Sequence, residues 1–239
     1  MTDLSNLAFF ITPSHPCSYL KGQQAVTLFA DPKAGLDTQL YSQLSYAGFR
    51  RSGDYLYKPH CQSCQACIPA RLQTSKFTPS KRQRRISRKN QDLTIHQVKA
   101  VFDQEHYQLY ADYIEARHQD GDMYPPSEEQ YKSFLFCDWS NTFFLEFRLE
   151  GKLIAVAVTD PLNNALSAVY SFYDAKYASR SLGVYAVLSQ IAITRDANLS
   201  HLYLGYWISE NEKMSYKKEY RPLEILTDNA WQPLLDTSS

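Results

Sequence analysis

The sequence predicts an α+β protein in two parts: a smaller cysteine-containing N-terminal domain over residues 1–90, and a mixed sheet with flanking helices over residues 91–239. Three observations carry this. Alternating apolar runs follow one another between Phe143 and Tyr173, as in an antiparallel meander. Helical periodicity then covers Leu182 to Asp196, and a short apolar run at His201 to Leu204 follows it. Ahead of residue 90 the pattern breaks into short runs, punctuated by Pro13, Pro16, Pro32 and Pro59 and by the run Cys61-x2-Cys64-x2-Cys67.

Taken in order, Ala25 to Ala30 alternates as a strand, and Leu40, Tyr41, Leu44 and Ala47 lie at helical spacing between a capping Asp37 and Gly48. Tyr55 to Lys58 reads as a strand ending at Pro59, which makes the cysteine run a loop. Beyond the basic segment, Leu93 to Val101 reads as a strand and Gln104 to Arg117 as an amphipathic helix built on Tyr107, Tyr110 and Ile114. A helix around Glu128 to Phe136 precedes strands Phe143–Leu149, Leu153–Thr159 and Leu166–Tyr173, with turns at Glu150-Gly151 and Pro161 to Asn164. A last helix and strand surround Glu210 to Leu226. A meander, a helix opening at Ser181 to Gly183 and a strand beyond it form the element order of the N-acetyltransferase-like (GNAT-type) fold.

With 239 residues, 44% of them hydrophobic and 14% aromatic, the chain can build a sizeable core. No apolar run approaches the ~20 residues that cross a bilayer, and the N-terminus lacks the pattern of a signal peptide. A soluble cytoplasmic protein without a membrane partner is expected. The formal net charge of +0 conceals a strong asymmetry: from Arg50 to Lys89 eleven Lys or Arg face the single Asp54, and seven of them lie between Lys76 and Lys89. From Asp103 to Asp138 nine Asp or Glu face only Arg117 and Lys132. A polyanion therefore docks on one side, with Arg50, Arg51, Lys81, Arg82, Arg84 and Arg85 as candidate phosphate contacts.

Closely spaced cysteines in a reducing compartment serve as metal ligands or redox groups more often than as disulfides. Cys61, Cys64 and Cys67, completed by Cys17, would make a four-sulfur site for zinc or an iron–sulfur cluster. His60 and His15 compete for the fourth place, and a reduced cysteine-rich loop is the alternative. Arg117 and His118, followed by Asp120 and Asp122, could bind a charged substrate or form a hydrated loop. Ser181-Leu-Gly183 is either an anion-binding helix start or an ordinary cap. No Ser/His/Asp nucleophile signature, phosphate loop or paired helical histidine is present, so covalent catalysis is not indicated.

Several ordered blocks then carry a resemblance: Cys17-Ser-Tyr-Leu20, Gly48-Phe-Arg-Arg-Ser-Gly53, Cys64-Gln-Ala-Cys67, Phe77 to Arg85, Arg117 to Met123, Ala168 to Tyr173, Ser181 to Tyr185, Leu204 to Ile208, and Lys213 to Lys217 with Tyr220-Arg-Pro222. Together they resemble the aminoacyl-tRNA protein transferases, bacterial aspartate/glutamate leucyltransferase branch, over nearly the whole chain. The resemblance implies an acetyltransferase-like catalytic half and transfer of leucine from charged tRNA to proteins with N-terminal Asp or Glu, marking them for N-degron degradation. It also implies that Arg180, Lys213, Lys217, Arg221, Arg117 and His118 read the acidic acceptor. Tyr170, Tyr173, Tyr185 and Tyr216 are the implied lining of the aminoacyl pocket, and Tyr170, Tyr173, Gly183 and Tyr216 the candidates for catalysis. Eukaryotic arginyl members carry two cysteine pairs, and here Leu20 and Ala66 stand where two of those four would be, so their iron–sulfur cluster does not transfer directly.

The chemistry requires no cofactor, because an aminoacyl ester is already activated. An arginyl donor, a small-molecule N-acetyltransferase using coenzyme A, and a non-catalytic metal-stapled RNA-binding protein are the alternatives. The acetyltransferase would need a glycine-rich pyrophosphate loop where Ser181-Leu-Gly183 supplies one glycine.

Overall fold

The computed structural model describes residues 7–235. In chain order, strands β1 (Phe9–Ile11), β2 (His15–Pro16), β3 (Gln24–Ala25) and β4 (Thr27–Ala30) precede helix α1 (Thr38–Tyr46). Strands β5 (Arg50–Ser52), β6 (Tyr55–Pro59) and β7 (Ile68–Gln73) then lead to α2 (Lys81–Lys89), β8 (Leu93–Lys99), α3 (Gln104–Arg117) and α4 (Glu128–Leu135). The remainder is β9 (Phe143–Leu149), β10 (Lys152–Leu162), β11 (Ala165–Tyr173), α5 (Leu182–Asp196), β12 (His201–Trp207), the short α6 (Glu212–Ser215), β13 (Leu223–Thr227) and β14 (Ala230–Pro233).

Single capping residues set several helix starts. Asp37 accepts the Leu40 N–H at 2.7 Å to open α1, and Gly48 behind the helix takes φ +89, which an L side chain rarely adopts. At α2, Ser80 and Gln83 cap one another reciprocally, the Ser80 N–H donating to Gln83 at 2.8 Å and the Gln83 N–H to Ser80 at 3.2 Å. The basic segment is thus an ordered helix. Gln83 and Ile86 are its buried face, and Lys81, Arg82, Arg84, Arg85, Arg88 and Lys89 stand exposed.

Two sheets organise the molecule: a four-stranded one in the order β1-β4-β6-β5 and an eight-stranded one in the order β14-β13-β7-β12-β11-β10-β9-β8. The large sheet is mixed, since β11 and β12 run parallel across the α5 connection while its other pairs are antiparallel. Alternation along β10 sends successive side chains to opposite faces. Val156 packs with Tyr110, Ile114, Tyr131 and Phe172 under α3 and α4, whereas Ala157 packs with Phe147, Leu182 and Ala186 under α5. Helix α1 places Leu40, Tyr41 and Leu44 against Phe49, Leu56 of the small sheet and Leu162 of the large one, welding the two sheets.

The structure departs from the sequence reading in four places. The expected boundary at residue 90 does not follow the sheets, because β7 lies between β12 and β13 in the large sheet. That strand escaped notice because Pro69 and Arg71 interrupt its apolar pattern, although Ala70 and Leu72 are 1% and 0% exposed. Strand β10 continues to Leu162, so the turn shrinks to Asn163-Asn164. Strand β12 continues to Trp207, paired with β7 as far as Ile68.

Candidate active site

Strands β11 and β12 pair only from Ala165 to Ser167 against His201 to Tyr203. Beyond that point β11 stays with β10 and β12 stays with β7, so the parallel strands part. An irregularity between Val158 and Thr159 gives β11 one extra residue, Val169, at the start of the parting. Such bulges bend a strand and re-aim its side chains.

Arg50 fills the gap. Its Nη1 donates to Ser167 Oγ at 2.9 Å and its Nη2 to the Ala168 carbonyl at 2.6 Å, both on β11. From β12 it is faced by Gly205, whose φ is +78 and where a Cβ would lie 3.2 Å from Arg50 Nε. Glycine at 205 therefore allows both the backbone turn and the close seat of the guanidinium. On the next residue of β12, the Tyr206 carbonyl accepts from Lys217 Nζ, and Met214 Sδ lies 3.3 Å from the same nitrogen. Lys217 is 6% exposed, and burial, then Arg50, push its ammonium down to about 7, with Cys67 opposing.

The aromatic candidates converge. Tyr113 of α3 lies 4.9 Å from Tyr173 and 6.4 Å from Tyr170 between ring centroids, and Gly183 at the start of α5 leaves Tyr173 within 3.6 Å of its would-be Cβ. The Tyr170 hydroxyl is buried without a hydrogen-bond partner. Burial pushes the Tyr216 phenol up, with Arg50 opposing and Tyr173 adding to the rise, which places Tyr216 among this group. His118 packs edge-on against Tyr113 at 5.1 Å, and burial, followed by Lys213, lowers its pKa.

Three loops close over this end of the sheet. Ser18 donates to Asp122 at 3.1 Å, Asn211 donates to the Tyr19 carbonyl at 2.8 Å, and Lys213 lies 3.4 Å from Asp120. The motifs at Cys17–Leu20, Arg117–Met123 and Lys213–Lys217 thus meet in space. Arg117 itself is exposed, and the Lys213–Asp120 pair, with side chains 59% and 77% exposed, adds little stability.

Other candidates lie elsewhere. Arg51 is withdrawn from phosphate contact: its fully buried guanidinium grips Asp160 at 2.6 and 2.9 Å, while Tyr41 and Thr142 donate to the same carboxylate at 2.9 and 2.6 Å. Strand alternation separates it from Arg50, which likewise turns inward to β11 rather than outward to a polyanion. Arg180 is committed to Asp92 through two bonds of 2.8 Å and so is not free to read an acceptor. Arg221 donates to the Leu234 carbonyl at 2.7 Å. On α2, Arg82 pairs with Glu219, and Lys81, Arg84 and Arg85 are exposed.

Cys17, Cys61, Cys64 and Cys67 are free thiols, and the other three all act on Cys67, whose thiol is pushed up to about 12, first by burial. They share a neighbourhood, yet among the described residues no group of three or more His, Cys, Asp or Glu is disposed to hold a metal ion. Cys17 Sγ instead accepts the Tyr19 and Leu20 N–H groups at 3.4 Å each.

The sequence reading did not single out Ser167 or Tyr113, and it carried Gly205 and Tyr19 only inside longer motif blocks; a glycine inside an otherwise aromatic strand was a further signal at Gly205.

Comparison with known proteins places the chain among transferases that use tRNA. The profile described as "Arginine-tRNA-protein transferase, N terminus" matches residues 15–85, and that described as "Arginine-tRNA-protein transferase, C terminus" matches residues 105–227. An aspartate/glutamate leucyltransferase of Alcanivorax borkumensis is 60% identical over 232 residues, covering 97% of this chain and 96% of its own. One of Pseudomonas aeruginosa is 53% identical over 234 residues, covering 98% and 100%. Among solved structures, L-PGS from Bacillus licheniformis gives a TM-score of 0.47 at 14% identity over 74% of this chain and 52% of its own. FemX gives 0.48 at 8% identity over 89% and 82%.

Proposed function

This chain belongs to the arginine-tRNA-protein transferase family, and from that membership we propose how its cleft works. The enzyme moves leucine from charged tRNA to the N-terminal Asp or Glu of acceptor proteins; its near-full-length similarity to aspartate/glutamate leucyltransferases carries this reading. The parting of β11 and β12 beside the start of α5 supports an N-acetyltransferase-like arrangement, with the aminoacyl end of the tRNA approaching the tyrosines at the start of α5.

In the transfer, the acceptor's α-amine attacks the ester carbonyl carbon, the C–O bond to the tRNA ribose breaks, and an amide forms. The amine must be neutral, which costs little because its ordinary pKa is ~8, and the proton it sheds passes to solvent or to the departing ribose oxygen. Positioning supplies most of the acceleration. Tyr113, Tyr170, Tyr173 and Tyr216 offer an apolar wall for the leucine side chain. The Leu182 and Gly183 N–H groups, in the first turn of α5 beside Tyr173, favour the charge that develops on the carbonyl oxygen.

The exposed basic face of α2 is proposed to hold tRNA phosphates, with Lys81, Arg84 and Arg85 free of carboxylate partners among the described residues. The added leucine is proposed to mark the acceptor for N-degron degradation, and the use of charged tRNA supports a cytoplasmic location. Incubation with radiolabelled leucyl-tRNA or arginyl-tRNA and peptides beginning with Asp, Glu or Lys tests the reading. Label should pass from leucyl-tRNA to the Asp and Glu peptides; no transfer, or transfer to the Lys peptide alone, would overturn it.

A further inference from the structure

Many of the cations placed inside this molecule have an anion. Arg51 has Asp160, Arg71 has Glu224, Arg148 has Glu105 and Glu146, and Arg180 has Asp92. The two in the cleft do not. Among the described residues neither Arg50 nor Lys217 has a carboxylate within ion-pair distance; Arg50 donates to a hydroxyl and a main-chain carbonyl, and Lys217 to a main-chain carbonyl and a thioether. They sit against consecutive residues of β12, Gly205 and Tyr206.

The linked anion, Asp160, is held by Arg51 and reaches Arg50 only through Tyr41 and Ser167. Lys217 lies within the fields of Arg50 and Cys67, while Tyr19, Tyr57, Tyr206 and Tyr216 surround Arg50. Burial raises all four phenols and pushes the Cys67 thiol up to about 12, so these groups stay neutral near pH 7. Arg50 opposes the charge of Lys217, and burial penalises that ammonium further. An arrangement that unfavourable in the empty protein becomes favourable when a ligand brings a carboxylate. Part-exposed Arg50 and the 38%-exposed Tyr216 mark the way in.

We propose that Arg50 and Lys217 together receive the side-chain carboxylate of the acceptor's first residue, a reading that rests on the transfer reaction proposed above. Arg50 is the fixed half: two of its donors are spent on β11, and the remainder present a rigid edge. Lys217 is the adjustable half, an ammonium on a flexible stem that can follow the carboxylate of Asp or the one-methylene-longer Glu. Asn and Gln offer neither cation a charge, and Lys or Arg acceptors add a third positive one. Arg180, which the sequence motif suggested for this task, is replaced by Arg50.

The test measures leucine transfer from leucyl-tRNA to four peptides differing only in a first residue of Asp, Glu, Asn or Gln. The parent protein, Arg50→Lys, Arg50→Gln and Lys217→Gln are compared, with leucyl-tRNA binding measured separately. A charge-assisted bond to carboxylate corresponds to roughly ten- to a hundredfold. The Gln variants should therefore lose that factor in kcat/KM for Asp and Glu, and in the Asp-over-Asn ratio, with leucyl-tRNA binding unchanged. Arg50→Lys should fall between them and the parent. If Arg50 variants fail to fold, Lys217→Gln alone carries the test. An unchanged Asp-over-Asn ratio in variants that still transfer leucine overturns the proposal, as does a loss confined to leucyl-tRNA binding. A parent protein that transfers nothing to the Asp peptide instead overturns the proposed function.

Discussion

Replacing Lys217 by Met should make the protein more stable while removing its use for acidic acceptors. The ammonium is pushed from the ordinary lysine value of 10.5 to about 7, which corresponds to roughly 5 kcal/mol of differential cost. That cost is fully present below pH 7, where folded and unfolded chains both carry the charge. It fades as pH rises towards 10.5, because the unfolded chain binds one more proton than the folded one within that window. Methionine fills nearly the same volume but leaves the Tyr206 carbonyl without its donor, a loss of about 1 to 3 kcal/mol. The net gain at pH 6 is then about 2 to 4 kcal/mol, or roughly 5 to 15 °C in Tm for a chain of this size. Thermal unfolding of both proteins at pH 6, 7.5 and 9.5 reads it, because other titrating groups cancel in the difference. The gap should narrow steadily with pH. A pH-independent gap, or a variant less stable at every pH, would refute the view that Lys217 is an uncompensated buried cation.

Three further outcomes follow from the geometry. Asp160→Asn leaves Arg51 buried against a neutral partner, and the destabilisation should reach about 3 to 5 kcal/mol in a denaturant titration. Gly205→Ala forces a strained φ and drives a methyl to 3.2 Å from Arg50 Nε, so KM for Asp-initiated peptides should rise while leucyl-tRNA affinity holds. Replacing Arg84, Arg85 and Arg88 on the exposed face of α2 by Ala should weaken tRNA binding and flatten its log–log salt slope by roughly 0.7 to 0.9 for each phosphate no longer neutralised; an unaltered slope would remove α2 from the tRNA interface.

The sequence by itself determined the local elements and the family. Helices Gln104–Arg117 and Leu182–Asp196 and strand Phe143–Leu149 were legible to the residue, because caps and periodicity act over three or four positions. The basic segment was legible as a charge excess, and the Ser80–Gln83 box that makes it a helix is equally local. Motif order alone named the transferase family, which the comparisons then bore out over nearly the whole chain.

Only the tertiary structure decided what each cation does. Arg50 and Arg51 are adjacent and chemically identical, yet one lies in the cleft and the other is locked to Asp160, a partner 109 positions away. Arg180 looked like an acceptor reader until folding brought Asp92 to it across 88 positions. Charge state and availability depend on burial and on partners remote in sequence, and no local pattern encodes them. The parting of β11 from β12, which creates the space those charges occupy, arises from pairings with β10 and β7 that exist only once the sheet is assembled.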